Sequence, residues 1–182
     1  MEGNNVNQRR HTTDGQTFVI RKAKIQDCPQ LLGFIQGLAK YQSMTDLCTM
    51  TLPQLEKDGF GNQPLFHAFV IEEEESKQIV GHAINYFRYS TFTGKQLHVE
   101  DIFILENHRR KGLAYALMHT VAQFASQEGC TALDWSCLSW NLPAVSFYLS
   151  LGAVNTTIND KWESYSLHGG NFQKLVDGKS NV

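Results

Sequence analysis

The chain predicts a mixed α/β domain in which a mixed sheet carries helices on both faces. Three observations support this. Apolar runs of strand length alternate with longer stretches whose apolar residues recur at helical spacing. Gly, Asn, Asp and Thr stand at the junctions where helices should begin and end. The 182 residues are 42% hydrophobic and 19% charged, which suits one domain with a sizeable core.

Residues 1–16 are polar and read as a flexible tail before a single domain over 17–176; residues 177–182 read as a frayed end. Thr17-Phe18-Val19-Ile20-Arg21 is the first strand. Asp27 is placed to cap a helix, with Pro29 in its first turn. Leu31, Leu32, Phe34, Ile35, Leu38, Ala39 and Tyr41 carry its apolar face to about Ser43. Thr51 caps a second helix over 52–58, ended by Gly59-Phe60-Gly61. Three strands follow over 66–72, 78–89 and 96–105, separated by an acidic turn at 72–75 and by Gly94-Lys95. A helix starts near Leu113 and stops at Gly129. Residues 131–137 form a buried strand, and Asn141 caps a helix with Pro143 near its start and Gly152 at its end. Short strands over 153–156 and 162–167 complete the order β-αα-βββ-α-β-α-ββ.

A formal net charge of −2 indicates no general polyanion-binding surface and no nucleic-acid partner. Cys28, Cys48, Cys130 and Cys137 are widely spaced, with no zinc-ligand pattern, so no metal is expected. The polar start has no apolar segment of a secretory signal, and no apolar run is long enough to span a membrane. Reduced thiols, a cytoplasmic location and no membrane association are expected.

The densest chemical signal is Arg109-Arg110-Lys111-Gly112-Leu113-Ala114, between the apolar Ile102-Phe103-Ile104-Leu105 and the helix that starts at Leu113. A helix N-terminus offers free N–H groups and the positive end of the dipole, so it receives anions. Gly112 lacks a Cβ and permits close backbone approach. The local cluster of cations suits one phosphorylated ligand.

The spacing R-x-x-G-x-A resembles the pyrophosphate loop of the GNAT acetyltransferases. The chain further resembles the diamine acetyltransferases of that superfamily, both the spermidine/spermine and the thialysine branches. Val19-Ile20-Arg21, Leu38-Ala39-Lys40-Tyr41, Asp58-Gly59-Phe60-Gly61, Val99-Glu100-Asp101-Ile102-Phe103 and Trp140-Asn141…Phe147-Tyr148 carry this resemblance, followed by Gly152-Ala153. It implies the GNAT acyl-CoA N-acyltransferase fold, whose two splayed central strands admit acetyl-CoA. The backbone of Ile102, Phe103 and Ile104 would pair with the pantetheine amides. The pyrophosphate would lie on the loop formed by Arg109, Arg110, Lys111, Gly112, Leu113, Ala114 and Tyr115. Asn141, Leu142, Pro143 and Ala144 would contact the other side of CoA. A homodimer is also implied.

Direct acetyl transfer to an amine needs a base for the amine, donors for the carbonyl oxygen and an acid for the leaving thiolate. The resemblance makes Tyr148 the acid; a phenol with pKa about 10 holds its proton at neutral pH. Glu100 is the candidate base, acting through water. Glu100 and Asp101 would face opposite ways on a regular strand, and a bulge would alter that; Asp101 is a supporting charge. The N–H of Ile102 or Ile104 would polarise the acetyl carbonyl. His98 and His108 flank this stretch and read as structural or exposed histidines. Around the acceptor amine the resemblance places Tyr41, Gln42, Glu100, Asp134, Trp135, Ser136 and Asp160, with Trp135 equally readable as strand core. Gln42 and Ser90-Thr91-Phe92 stand where the polyamine branch has more acid and a tryptophan, and Ser90-Thr91 resembles the thialysine branch. The expectation is an acetyltransferase for a small primary amine, either thialysine-like or a diamine or polyamine such as spermidine or spermine. Protein lysine or N-terminal acetylation and a non-catalytic CoA-binding module are the alternatives.

Overall fold

The computed structural model describes residues 8–160 and 165–178. The chain divides into two compact units, Met1–Ser136 and Cys137–Val182.

Among the described residues the first unit contains six strands: β1 (Gln8–Thr13), β2 (Gln16–Lys22), β3 (His67–Glu73), β4 (Ile79–Ser90), β5 (Gly94–Ile104) and β6 (Leu133–Trp135). They lie side by side in chain order. Every neighbouring pair is antiparallel except β5 and β6, which run parallel. Helices α1 (Cys28–Tyr41), α2 (Leu52–Phe60) and α3 (Leu113–Gln127) cover this sheet. Side chains alternate across a strand, so two core layers form. Ala68, Val70 and Ile84 pack with Cys28, Leu31 and Phe34 of α1 and Leu55 of α2. On the opposite face Phe69 and His67 meet Phe124 of α3, with ring centroids 5.4 and 5.0 Å apart. Helix α3 is the crossover that a parallel β5–β6 pair requires.

The expected tail instead contains β1. Asp14 and Gly15 both have positive φ, at 51° and 74°. That is the backbone of a two-residue hairpin turn, and Asp-Gly is among the strongest short signals for one. Asp27 stands at the start of α1 without capping it through its side chain. Its carboxylate accepts the Lys24 N–H at 2.7 Å and binds Arg21 at 2.7 Å, and Arg21 also reaches Glu72 at 2.7 Å. This partly buried triad ties the start of α1 to β2 and β3. The strand expected over 131–137 keeps only residues 133–135, all half-buried.

The second unit contains α4 (Leu142–Ser150), α5 (Thr156–Asp160) and α6 (Gly169–Val176). Asn141 precedes α4 as expected, though its side chain makes no capping bond. Gly152, at φ 83°, follows the end of α4. The strand expected over 153–156 does not form. Asn155 Oδ1 accepts the Ile158 N–H at 3.3 Å, a helix-start bond, and Thr156 opens α5. Of the strand expected over 162–167, residues 165–167 are irregular and the rest lies outside the described residues. No helix among the described residues is long and apolar enough to cross a membrane.

Candidate active site

Strand β5 organises the site. It pairs with β6 only through Leu97↔Leu133, His98↔Asp134 and Val99↔Trp135. Beyond Val99, β5 continues along β4 alone. The Leu105 N–H donates to the Val80 carbonyl at 2.8 Å. Antiparallel alternation therefore turns the N–H and C=O groups of Ile104 and Ile102 to the opposite edge, the one β6 has left. There the Ile104 carbonyl accepts Arg109 Nε at 3.0 Å. The Phe103 ring stays in the core, 5.2 Å from Phe34.

A register shift separates Ile84 from Asn85, with Asp101 opposite Ile84 and Val99 opposite Asn85. Glu100 is the extra residue of this bulge, so the alternation that would separate Glu100 from Asp101 is broken. The Glu100 side chain is 56% exposed. Burial, reinforced by the charge of Glu100, pushes the Asp101 carboxyl up to about 6.

Glu100 belongs to a chain of polar side chains. Glu100 Oε2 lies 3.6 Å from His98 Nε2, and His98 Nδ1 bonds Asp134 Oδ1. Arg88 NH1 donates to the same Asp134 oxygen at 2.9 Å. The other oxygen, Asp134 Oδ2, is buried without a hydrogen-bond partner among the described residues. Tyr86 covers His98 with ring centroids 5.0 Å apart. Burial and then the charges of Glu100 and Asp134 raise the Tyr86 phenol. From sequence, His98 reads as structural or exposed, and the resemblance gives Asp134 to the acceptor amine. The structure puts His98 between both acids and gives Asp134 two partners of its own, Arg88 and His98. A period-2 count does place His98 and Glu100 on one face of a regular strand, but nothing local announces Asp134 or Arg88. His108 is structural: it is buried, edge-on to Phe18 at 6.0 Å, and bonds Asn107 at 2.7 Å.

Among the remaining acceptor-side residues, Tyr41 ends α1 half-exposed, and Gln42 follows it with its N–H on the Leu38 carbonyl at 2.9 Å. Trp135 is half-buried opposite Val99, and Ser136 is exposed. The Ser90 hydroxyl accepts the N–H groups of Phe92 and Thr93 at 3.2 Å, and Phe92 projects into solvent. Asp160 ends α5, and its side chain lies outside the described residues.

The loop after β5 has the expected form. Gly112 stands before α3 at φ 73°, and the first helical bond runs from the Ala116 N–H to the Gly112 carbonyl at 3.0 Å. The N–H groups of Leu113, Ala114 and Tyr115 precede that bond. Arg110 also has a positive φ, 64°, uncommon for a residue with a side chain. The three cations are not equivalent. Arg109 is turned to the Ile104 carbonyl, and Lys111 Nζ donates to Gln16 Oε1 at 2.8 Å. Arg110 is exposed and carries no such bond among the described residues.

In the second unit, Tyr148 lies on α4, seven residues after Asn141. Burial, with a smaller contribution from Cys137, pushes its phenol up to about 12. Leu142 is exposed, and Pro143 occupies the first turn of α4.

Residues 40–153 match the Acetyltransferase (GNAT) family. The chain is 34% identical over 166 residues to the thialysine N-epsilon-acetyltransferase of Sus scrofa, covering 88% of this chain and 98% of that protein. It is 30% identical to the human spermidine/spermine N(1)-acetyltransferase-like protein 1, over 88% of this chain and 23% of that one. Among solved structures, an aminoglycoside N-acetyltransferase in complex with CoA shares the fold at a TM-score of 0.66 and 15% identity, covering 88% of this chain and 99% of that one. Matched along more than half its length, the chain belongs to the GNAT family and is an acetyl-CoA-dependent N-acetyltransferase.

Proposed function

We propose that the chain acetylates the primary amine of a small, short acceptor of the thialysine type in preference to spermidine or spermine, by direct transfer in a ternary complex. The opening of the sheet after Val99, beside the bulged Glu100, carries this reading. It leaves the outward amides of Ile102 and Ile104 next to a carboxylate, with an uncapped helix start one short turn further along.

These features suit a CoA thioester, which supplies the activated acetyl group. The N–H groups of Leu113, Ala114 and Tyr115, with Arg110, receive the pyrophosphate. Lys111 and Arg109 shape the loop instead. The strand edge at 102–104 holds the pantetheine arm, and the Ile102 or Ile104 N–H donates to the acetyl oxygen. Asn141, Leu142, Pro143 and Ala144 line the cofactor from α4. Glu100 takes the proton of the acceptor ammonium through a water, freeing the nitrogen lone pair for the acetyl carbon. As the carbon–sulfur bond breaks, the Tyr148 O–H donates to the sulfur, and the second proton that the nitrogen sheds on becoming an amide returns to the phenolate. A phenol raised to about 12 holds its proton at neutral pH until that step.

Charge supports a short acceptor. Arg88 and His98 occupy Asp134, while Gln42 and Ser90 are neutral. Glu100 is then the carboxylate left for one ammonium, whereas a polyamine presents several. Tyr41, Trp135 and Ser136 contact the alkyl part; the family resemblance alone adds Asp160 to the acceptor-side residues. Thiol release from acetyl-CoA, measured over thialysine, lysine, putrescine, spermidine, spermine and lysine peptides, tests the reading. Thialysine or lysine should give the highest kcat/KM; a preference for spermine or for peptides overturns it. We further propose one acetyltransferase domain that begins with β1 rather than at residue 17 and runs to residue 176, working in the cytoplasm as a homodimer. The exposed Phe172, Leu175 and Val176 of α6 support the pairing.

A further inference from the structure

Strand β1 lies upstream of residues 40–153, the part that matches the family, and its alternate residues reach the cofactor loop. Gln8, Arg10 and Thr12 are exposed, while Arg9, His11 and Thr13 are half-buried. Arg10 pairs with Glu74 on the exposed side. On the other side the Arg9 guanidinium bonds His119 of α3. His11 Nε2 lies 3.0 Å from the Lys111 carbonyl. A carbonyl only accepts, so His11 donates from Nε2. Gln16, the first residue of β2 after the hairpin turn, accepts Lys111 Nζ at 2.8 Å. The two ends of one loop residue are thus held by the two arms of one hairpin.

The hold falls at the most demanding point of the loop. Arg110 and Gly112 flank Lys111, and both have positive φ. A Cβ on Gly112 would stand 3.3 Å from His11 Cε1 and Nε2, so the ring fits against the bare glycine backbone. A side-chain-bearing residue keeps a left-handed conformation only where its surroundings fix it.

We infer that the N-terminal hairpin is a brace for the pyrophosphate loop, with His11 and Gln16 as positioning residues that set acetyl-CoA affinity without touching the acetyl group or the acceptor. This rests on the proposal that the loop binds the pyrophosphate. The balance of effects between two acyl donors separates a brace from a general support. S-acetylpantetheine has the reacting thioester but no pyrophosphate.

In the full-length chain, His11→Ala and Gln16→Ala should each lower kcat/KM for acetyl-CoA by up to about tenfold, the order expected for one lost part-buried hydrogen bond. The CoA dissociation constant measured by calorimetry should rise equally. kcat at saturating acetyl-CoA, the acceptor KM and kcat/KM for S-acetylpantetheine should stay unchanged. His11→Gln keeps a donor and should recover part of the loss. Equal losses with both donors would show that β1 supports the whole fold, and unchanged CoA affinity in both variants would show that the loop holds itself; either overturns the brace. Gly112→Asp is the control for the underlying reading. If it leaves CoA affinity intact, the pyrophosphate lies elsewhere, and the cofactor assignment fails along with the brace.

Discussion

The middle of β5 and the loop that follows it are built by different means. Beyond the C-terminal end of the strand, the proposed anion site at residues 109–115 is built from consecutive backbone: two positive φ values, a glycine and a helix start. In the middle of the strand the acid–histidine cluster is assembled from side chains on three strands, Arg88 on β4, His98 and Glu100 on β5, and Asp134 on β6. Arg88 and Asp134 stand 46 residues apart in sequence. A backbone site tolerates side-chain exchange but not conformational change, whereas a side-chain site tolerates the reverse. Substitution should therefore affect cofactor affinity in the loop and turnover or acceptor choice in the strand.

The largest expected effect is on chemistry. Glu100→Gln and Tyr148→Phe should each lower kcat by about 10²–10⁴ while leaving CoA affinity near its original value. Single-turnover acetyl transfer with calorimetric CoA titration checks this. Asp101→Asn is the informative companion, because an acid pushed up to about 6 is also well matched to base catalysis near neutrality. If Asp101→Asn stops turnover and Glu100→Gln does not, the two carboxyls exchange roles.

At the loop, Gly112→Asp should weaken acetyl-CoA binding by roughly tenfold or more through charge against the anion. It should also cost about 1 kcal/mol of stability, because a Cβ is disfavoured at φ 73°. Contact with His11 at 3.3 Å adds to that strain. Gly112→Ala separates the contributions: it shares the steric cost without the charge. If Ala weakens CoA binding as much as Asp, backbone shape outweighs electrostatics in the loop after β5.

The contrast also explains what was legible in the sequence. The loop was visible because its determinants are neighbours in the chain: an apolar run, basic residues, Gly112 and an apolar-periodic helix. The same locality made α1, α2, α3 and α4 readable from caps and periodicity. The bulge at Glu100 follows from pairing with β4, and the Arg88–Asp134–His98 contacts follow from strand order, so neither has a local signature. β1 is a different case. Asp14-Gly15 is a hairpin signal, but the polar residues on both sides of the turn concealed a strand whose half-buried face meets the loop and α3 through polar contacts. The strand expected over 153–156 does not form because that segment has no firm alternation and Asn155 turns it toward a helix; of the one expected over 162–167, only 165–167 lie among the described residues, and they are irregular.

Below the loop effects comes a pH-dependent stability test on the α1 side of β4 and β5. His82 is fully buried against Phe34, with ring centroids 5.6 Å apart and neither ring nitrogen partnered. Burial pulls its pKa down to about 4. Because the folded state disfavours the proton, His82 supports stability above its ordinary value near 6.5, and this is lost as pH falls toward 4. Asp101 has the opposite sign. Its raised pKa means that its contribution is full below 3.8 and lost as pH rises through about 6. The two slopes oppose each other between about 4 and 6. Asp101→Asn should stabilise the protein at pH 7 by roughly 1–3 kcal/mol and do little at pH 3.5. His82→Phe should flatten the acid limb instead. Urea unfolding across pH 3.5–7.5 reads both, and parallel shifts at every pH would show that packing, not titration, governs this layer.

The smallest effect concerns acceptor choice, and it tests whether side-chain charge is really the working principle at the middle of β5. Arg88 is half-exposed and holds Asp134 Oδ1, so the acid is neutralised toward any incoming polycation. Arg88→Gln should release that charge, and Gln42→Glu should add another at the end of α1. An exposed ion pair contributes about 0.2–1 kcal/mol, so the double variant should gain no more than about tenfold in kcat/KM for spermine. The gain should shrink in 0.5 M salt, because screening acts on exposed pairs. Thialysine, with fewer positive charges to place, should gain less. CoA affinity should not move, since neither residue lies at the loop. A spermine gain that persists in high salt would point to reshaped packing around His98, and no gain would mean that shape rather than charge selects the acceptor.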